Sequence, residues 1–397
     1  MSAVSNLSNR RFLYSLFLLG FFAIFSTTIS KNPVLPLFSQ ALGAGDFVIG
    51  LIAAVSPLAG IIFSFPVGVL SDNIGRKKML IASGLIFLCA PLLYLFISNP
   101  VWLIPVRFFH GTATAILGPV ISAIIAERFY EKKGEMLGQY SSATLIGRTI
   151  APLVGGFILS IFILSPGLIS YRLVYLIAAI AAVPVLTLIL MYRGEENNLP
   201  CASVTLSSFH RSFVQFFSDS KLRATASVDM ATYFAFGSFE TFFPLVLVSQ
   251  NISLYLIGVI FASQTLVIAA TKPVFGRIAD RFDKRIQIAA GILILGFSTA
   301  AIPFASSFGM FLLVSSFVGL GISLSSVATS SYIADVTKKE RMGASMGALS
   351  SVMDIGHSAG PLVTGIVIAA GGFVYGFLFS LIIALAVCGF FILSVRN

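Results

Sequence analysis

The sequence has few charged residues. Only 10% of its 397 residues are Asp, Glu, Lys or Arg, whereas ordinary soluble domains carry about 25%. The apolar share is 57% and the mean hydropathy is +0.99. Such a chain cannot cover a water-facing surface. A soluble protein of several domains, which the length alone would allow, is therefore excluded.

Cysteine and histidine are also scarce. The three cysteines lie far apart and favour neither a metal site nor a structural disulfide. The three histidines have no metal-ligand spacing, and no phosphate-binding Gly-x-x-x-x-Gly-Lys loop is present. No pair of nucleophile and base stands out. The sequence thus predicts no cofactor, no metal and no enzymatic activity.

Long apolar runs fill most of the chain. They reach about 20 residues or more, the length that an α-helix needs to cross a bilayer. This pattern predicts an all-α membrane protein with twelve transmembrane helices. In chain order, spans 1 to 12 are predicted at residues 12–38, 46–70, 79–97, 100–127, 135–163, 172–192, 222–248, 252–276, 286–304, 308–336, 342–369 and 372–395.

The positive charges predict the orientation. With the N-terminus inside, 20 of the 25 Lys and Arg residues fall in cytoplasmic segments, as the positive-inside rule requires. Lys31 and Arg172 lie at the outer side, and Arg107, Arg148 and Lys272 lie within spans. The basic pI near 9.7 then reflects this orientation and indicates contact with anionic lipid. It does not indicate binding to nucleic acid. We expect a multi-pass protein of the cytoplasmic (inner) membrane with both termini in the cytoplasm.

The two halves of the chain repeat each other. The offset is 208 residues and then 209, in pairs such as Pro36 and Pro244, Gly111 and Gly319, Asp72 and Asp280, and Pro152 and Pro361. An even number of spans separates the copies, so both have the same orientation. We predict an N-terminal half (1–192), a cytoplasmic linker with a short interfacial helix (193–221) and a C-terminal half (222–397). Parallel repeats of this kind occur in transporters, which bind substrate near the midplane between the halves.

The loop after span 2 carries the strongest motif. It reads Gly68-Val-Leu-Ser-Asp72-Asn-Ile-Gly75-Arg76, and its echo after span 8 contains Gly276, Asp280 and Arg281. This pair resembles the signature loop of the major facilitator superfamily, which implies a cytoplasmic gate. An aspartate there can face the positive end of a neighbouring helix, so we expect Asp72 to face the start of span 11 near Gly343 and Asp280 the start of span 5 near Gly134. The echo has Asp283 where the first copy has Gly75, and topology alone is assigned to Lys284.

Spans 5 and 11 contain a second motif of small residues. Its members are Gly147, Pro152, Gly155 and Gly156 in span 5, and Gly356, Gly360 and Pro361 in span 11. It resembles the motif of drug:proton antiporters in the 12-span branch of the superfamily, with Ala151 in place of a glycine. The resemblance implies proton-driven efflux. Ordinary close packing of helices explains the same residues equally well.

Span 4 contains Arg107-Phe-Phe-His110-Gly111. This resembles the family's span 4 motif, with histidine where glutamine is usual. An arginine inside a span is costly and is usually functional. We therefore expect Arg107 to face the central cavity.

Other polar residues within spans complete the predicted site for substrate and protons. Arg148 and His357 occupy matching positions of the repeat, and Asp354 lies one turn before His357. The carboxylate of Asp354 is the best candidate for a proton carrier, since burial and nearby cations shift a carboxyl group in opposite directions. The alternative is a permanent ion pair of Asp354 with Arg148 or Arg107.

Further polar and aromatic residues within spans have other roles to be weighed. Glu240 is the repeat partner of Asn32, and it either binds a cation or a proton, or is an outer-gate or a solvated carboxylate. Asp229 either reaches cytoplasmic water or serves as a proton exit, and Lys272 is expected to extend to the inner headgroups. The phenylalanines of span 7 either line a greasy cavity or pack between helices. They are Phe234, Phe236, Phe239, Phe242 and Phe243.

Together these features predict a monomeric secondary transporter that works by alternating access. We expect proton-coupled efflux of a small organic compound, so the partners are that compound, protons and the lipid bilayer. One alternative is a proton-coupled symporter or a uniporter that imports a metabolite. An alternative of another class is a non-transporting membrane sensor with the same fold.

Overall fold

The computed structural model of the protein describes residues 2–129, 132–162, 167–192, 214, 216–337 and 341–395. Within these ranges, side chains are described from residue 12 onward, except at positions 65, 68, 69, 72, 73, 133 and 343. The described part of the chain contains twelve helical segments that are long and apolar enough to cross a membrane. The predicted all-α architecture with twelve spans is confirmed.

Most spans are single helices. Span 1 is the exception, because its helix Ser2–Ile29 is followed by a turn and a second helix, Val34–Ala41. The helices of spans 2 to 6 are Asp46–Ile74, Arg76–Tyr94, Leu103–Arg128, Lys133–Ile161 and Ile169–Met191. The helices of spans 7 to 12 are Ser220–Ser249, Leu254–Arg281, Lys284–Ala301, Phe308–Val336, Met342–Gly371 and Phe373–Val395.

The sequence repeat produces the same helix crossing in each half. A Cβ atom at Gly111 of span 4 would lie 2.7 Å from the carbonyl oxygen of Ser56 in span 2. At the repeat positions, a Cβ atom at Gly319 of span 10 would lie 3.0 Å from the carbonyl oxygen of Gln264 in span 8. Both crossings depend on a glycine that lets two backbones approach.

The halves contact each other mainly on the side away from the cationic loops. Span 2 packs against span 11, and span 5 packs against span 8. Gly50 faces the carbonyl group of Pro361, and Gly258 faces that of Pro152. These two contacts are repeat equivalents, as a two-fold arrangement of the halves requires.

On the predicted cytoplasmic side the halves are apart. A Cβ atom added at Gly134, Gly138, Gly276 or Gly347 would meet no atom within 4 Å. These positions lie at the inner ends of spans 5, 8 and 11. The crevice between the halves therefore opens toward the cationic side and is closed at the other side.

The predicted interfacial helix of the linker lies almost entirely outside the described residues, which omit 193–213 and 215. Phe216 is described and is buried with Leu222, Ile333 and Leu349. The end of the linker thus packs against the C-terminal half.

Candidate functional site

A cluster of four polar residues joins the halves near the closed side of the crevice. The Nζ atom of Lys31 lies 2.7 Å from Oε2 of Glu240, and Nε2 of His357 lies 2.9 Å from the same oxygen. Asn32 donates to Oε1 of Glu240 over 2.6 Å. Lys31 and Asn32 belong to the N-terminal half, whereas Glu240 and His357 belong to the C-terminal half. We call these four residues the gate cluster.

The histidine of the gate cluster can act in two ways. Its Nε2 atom lies within hydrogen-bonding distance of both Glu240 and the Nζ atom of Lys31, which is 3.2 Å away. A protonated Nε2 donates to the carboxylate, and an unprotonated one accepts from the ammonium group. The contacts of His357 therefore depend on where a proton resides.

Local structure explains how the gate cluster forms. The turn between the two helices of span 1 holds Lys31 and Asn32. Asn32 and Glu240 are repeat partners, so the two-fold relation of the halves places them opposite each other. Side-chain exposure is 24% for Lys31 and 11% for Glu240. Water is thus largely excluded from this ion pair.

Lys31 is the site residue that the sequence did not reveal. The sequence placed it only at the outer side, and the structure adds that it is half-buried and ion-paired with Glu240. Its position next to Asn32, the repeat partner of Glu240, was the available signal. Of the alternatives for Glu240, the solvated carboxylate does not fit, because the residue is buried.

Three of the predicted site residues lie within electrostatic reach of Tyr233 in span 7. Arg148 is exposed, and its electrostatic influence reaches Tyr233, as does that of Asp354 and of Asp229. A Cβ atom at Gly60 of span 2 would lie 3.0 Å from Oδ2 of Asp354. Asp354 of span 11 thus sits at the boundary between the halves.

Asp354 forms no ion pair with any residue that the structure describes. The permanent pair with Arg148 or Arg107 is therefore absent in this conformation. A half-buried carboxylate without a cationic partner can bind and release a proton.

Asp229 and Lys272 lie within electrostatic reach of each other. Asp229 is 3% exposed and accepts a hydrogen bond of 2.9 Å from Thr329, so it does not reach cytoplasmic water. Lys272 is exposed and is also within electrostatic reach of Arg148. Its extension to the inner headgroups stays a prediction.

Arg107 and His110 are buried inside the N-terminal half. Arg107 is 3% exposed and His110 is 1% exposed, and the His110 ring packs against Tyr94 and Phe87. The prediction that Arg107 faces the open cavity is wrong for this conformation. The reason is that its guanidinium group lies near Tyr94 of span 3 and Tyr175 of span 6.

The signature loop and its echo form equivalent ion pairs within each half. Arg76 pairs with Glu127 at the end of span 4, and Lys284 pairs with Asp335 at the end of span 10 over 2.6 Å. These are repeat positions. The assignment of Lys284 to topology alone is therefore wrong.

The predicted cytoplasmic latch is not engaged in this conformation. Asp280 and Arg281 are exposed, and Asp280 has no hydrogen bond or ion pair within the described part of the chain. Gly134, its expected neighbour, faces open space. The side chains of Asp72 and Gly68, and that of Gly343, lie outside the described set.

The small-residue motif makes two kinds of contact. At its inner end it packs within its own half, where Gly147 approaches Phe21 of span 1 and Gly356 approaches Met230 of span 7. Gly155 and Gly360 likewise face span 1 and span 7, through Val34 and Phe234. At its outer end the motif crosses between the halves. The residues there are Pro152 and Gly156 against Gly258, and Pro361 and Gly365 against Gly50.

The phenylalanines of span 7 pack between helices. All five are at most 8% exposed. Phe239 and Phe243 stack with ring centroids 4.6 Å apart, and both rings contact Phe261 of span 8. The greasy-cavity interpretation does not fit this conformation.

Among the residues that the structure describes, no three His, Cys, Asp or Glu side chains are grouped so as to hold a metal ion. Cys89 and Cys388 are unpaired.

A comparison with protein families decides the identity of the chain. The model of the Major Facilitator Superfamily matches residues 16–248 and 225–397. The chain belongs to the major facilitator superfamily. It is therefore a multi-pass membrane transporter and not an enzyme.

Two relatives and one solved structure are similar to this superfamily member. It is 26% identical over 356 residues to an uncharacterized MFS-type transporter of Methanocaldococcus jannaschii, covering 89% of this chain and 91% of that one. It is 35% identical over 135 residues to the multi-drug resistance efflux pump PmrA of Streptococcus pneumoniae, over 33% and 34% of the two chains. A bacterial homologue of the human lysosomal transporter Spinster has the same fold, with a TM-score of 0.76, 15% identity and coverage of 98% and 97%.

Proposed function

We propose that this major facilitator protein is a proton-coupled exporter of a small organic compound in the cytoplasmic membrane, with both termini in the cytoplasm. The observation that carries the proposal is the gate cluster, in which a single carboxylate, Glu240, binds residues of both halves. The similarity to a named efflux pump and the small-residue motif of spans 5 and 11 support the direction of transport.

Proton release is linked to closure of the outer side. When the halves separate there, Glu240 loses Lys31 and Asn32, and a carboxyl group left in a poorly hydrated site takes up a proton. When the halves close again, the ammonium group of Lys31 returns to 2.7 Å from Glu240 and stabilises the carboxylate. The groups facing Glu240 are then Lys31 and Asn32 of span 1 and His357 of span 11. The proton leaves as the outer gate closes.

Asp354 provides the next position toward the cytoplasm. It lies one turn before His357 on span 11 and has no cationic partner within the described residues. The crevice is open on this side, so a proton taken from Glu240 passes by Asp354 to cytoplasmic water. This sequence of events moves protons inward as the compound moves outward.

The compound binds in the crevice between the halves. Arg148, Tyr233 and Lys272 provide polar and cationic groups there, and Asp354 provides an anionic one. In the opposite conformation the inner ends of the spans meet, and Asp72 and Asp280 hold them together as the cytoplasmic latch. One chain contains all these groups, so the monomer is the working unit.

The test is a proton-flux measurement on purified protein in proteoliposomes that contain a pH-sensitive dye. Ethidium, chloramphenicol and indole-3-acetate serve as cationic, neutral and anionic compounds. We expect proton movement opposite to the movement of a transported compound. Glu240→Gln has nearly the same size but cannot ionise, and its NH2 group cannot accept a hydrogen bond, so we expect its proton movement to fall to the level of empty liposomes while compound exchange continues. Glu135→Gln, an exposed carboxylate at the inner end of span 5, is the matched control and should retain full proton flux.

Other results would support other functions. Proton movement in the same direction as the compound would favour the symporter. Compound movement without protons would favour a uniporter. Normal proton coupling in Glu240→Gln would exclude Glu240 as the coupling residue, and a lack of flux with every compound would favour the sensor.

A further inference from the structure

Four polar side chains are buried together in the N-terminal half. They are Tyr94 of span 3, Arg107 and His110 of span 4, and Tyr175 of span 6, and none is more than 3% exposed. The rings of Tyr94 and Tyr175 stack with centroids 4.3 Å apart, and the His110 ring lies 5.9 Å from that of Tyr94. We call these residues the arginine–tyrosine cluster.

Most polar atoms of this cluster lack partners. Nε and Nη1 of Arg107, both ring nitrogens of His110 and the hydroxyl group of Tyr175 make no hydrogen bond to any residue that the structure describes, whereas the hydroxyl group of Tyr94 lies beside the guanidinium group of Arg107. Buried polar groups in folded proteins are almost always paired, because an unpaired one loses its hydration without compensation. Five such atoms in one place indicate that a further molecule supplies the partners.

Charge narrows the chemistry of that molecule. The guanidinium group of Arg107 is always ionised, and no described carboxylate forms an ion pair with it. The charged neighbour within its electrostatic reach is another cation, Lys31, whose carboxylate partner is Glu240. Water would accept from the donors but would leave the positive charge uncompensated. An anionic oxygen group accepts hydrogen bonds from the donors and also compensates the positive charge.

The surroundings of the cluster further restrict the chemistry of the bound molecule. Phe38 and Phe87 are fully buried beside the aromatic rings of the cluster, so the space around the polar atoms is apolar. Lys31 is within electrostatic reach of Arg107 and also of Arg148 in the crevice. Lys31 is thus flanked by two further cations, and the combined positive charge favours an anion.

We propose that the arginine–tyrosine cluster binds the carboxylate group of the transported compound, which makes amphipathic organic acids the substrate class. This inference rests on the proposed function. Arg107 binds the carboxylate, the two tyrosine hydroxyl groups and His110 complete its hydrogen bonds, and the neighbouring aromatic rings contact its apolar part. A bound carboxylate also offers Lys31 a second anionic partner when Glu240 moves away.

The test measures binding without any gradient, on the purified full-length protein in detergent. Indole-3-acetate and 4-phenylbutyrate are compared with their uncharged methyl esters. We expect both acids, and neither ester, to raise the melting temperature with increasing concentration, because a ligand that binds the native state stabilises it by mass action.

Variants of the protein test which residues the stabilisation by acids requires. Arg107→Gln should lose the stabilisation by acids, and Tyr175→Phe, which removes only one hydroxyl group, should weaken apparent binding by about tenfold, as expected for a hydrogen bond to a charged group. Arg277→Gln replaces an exposed cytoplasmic cation and should bind the acids like the unchanged protein. Tyr175→Phe keeps the test decisive if Arg107→Gln does not fold.

Equal stabilisation by acids and esters, no stabilisation by either acid, or unchanged acid binding in both cluster variants would overturn this inference. Acid binding that is normal in a protein without proton flux would contradict the proposed function alone. Proton-coupled export of cationic compounds only, without acid binding, would contradict the cluster assignment alone.

Discussion

The loops after spans 2 and 8 have different residues at the matching position before the next helix. Gly75 has a φ of +102°, a conformation that glycine adopts without steric cost. Its counterpart Asp283 has a φ of −62°, and its side chain accepts hydrogen bonds from the backbone N–H of Arg285 at 2.9 Å and from Nε of Arg285 at 3.1 Å. The departure of the echo from the motif is thus a helix cap in place of a glycine turn.

Replacement of this cap should lower stability in a pH-dependent way. We expect Asp283→Ala to cost about 1 kcal/mol, as for other caps. The hydrogen bonds from Arg285 hold the pKa of Asp283 below its ordinary value. The stabilisation is therefore present above that ordinary value and is lost as the pH falls through the pKa of the folded state.

Thermal melting in detergent at pH 7 and at lower pH measures this difference. The gap in melting temperature between the unchanged protein and Asp283→Ala should be about 2 °C at pH 7 and should narrow as the pH falls. Asp283→Ser keeps a capping oxygen without the charge, so its deficit at pH 7 should be smaller and should also narrow as the pH falls, whereas the difference between the Ser and Ala variants should not depend on pH. An equal gap at all pH values would mean that the carboxylate charge does not contribute.

At the scale of helices, two pairs of spans close the side away from the cationic loops, which is the predicted outer side. The pairs are span 2 with span 11 and span 5 with span 8, and each depends on glycines that allow two backbones to meet. Ser358 of span 11 also donates a hydrogen bond of 2.8 Å to the carbonyl oxygen of Ala54 in span 2. These close contacts explain why the small-residue motif occurs in spans 5 and 11.

A methyl group at such a contact should open the outer side. In Gly258→Ala the new Cβ atom meets the carbonyl oxygen of Pro152, and overpacking of this kind costs about 1–3 kcal/mol. Only the closed arrangement carries this cost, so the population should shift toward the outward-open one. A reporter cysteine, Ala54→Cys, is buried in the closed state and should react about tenfold faster with an impermeant maleimide added outside.

The control for this experiment is Gly389→Ala in span 12, where an added Cβ atom meets nothing within 4 Å. It should leave the labelling rate unchanged. A labelling rate in Gly258→Ala that equals that of the control would show that this contact does not hold the outer side closed.

At the scale of the whole molecule, the two halves are joined at one side and separated at the other. The gate cluster and the glycine contacts lie at the joined side, and the inner ends of spans 5, 8 and 11 face open space. A crevice of this shape is one of the two states that alternating access requires. In the other state we expect the inner ends to meet.

A disulfide across the inner ends should detect that second state. The pair Gly134→Cys and Asp280→Cys, in a chain with Cys89, Cys201 and Cys388 replaced by serine, is separated in the conformation described here. We expect cross-linking only as the protein cycles, with transport lost after oxidation and restored by a reducing agent. Each single-cysteine variant is the control, and a cross-link that never forms during turnover would exclude the latch at this position.

Much of the fold could be predicted because it follows from local sequence. Apolar runs of membrane length gave the twelve spans, and the offset of about 208 residues related residues such as Asn32 and Glu240. The small residues of spans 5 and 11 indicated close packing. Partners were harder to predict. Lys284 was assigned to topology although it pairs with Asp335, and neither of the two interpretations of Asp229 included its hydrogen bond from Thr329.

The sequence by itself determined that this protein is a helical membrane transporter with an internal repeat, because hydropathy and repeat spacing are written along the chain. Only the tertiary structure decided which charges meet. Lys31 and Glu240 are 209 residues apart, and Arg107 is buried with Tyr94 and Tyr175 from two other spans. A side chain finds such partners through the packing of distant helices, and the period of one helix does not encode that packing.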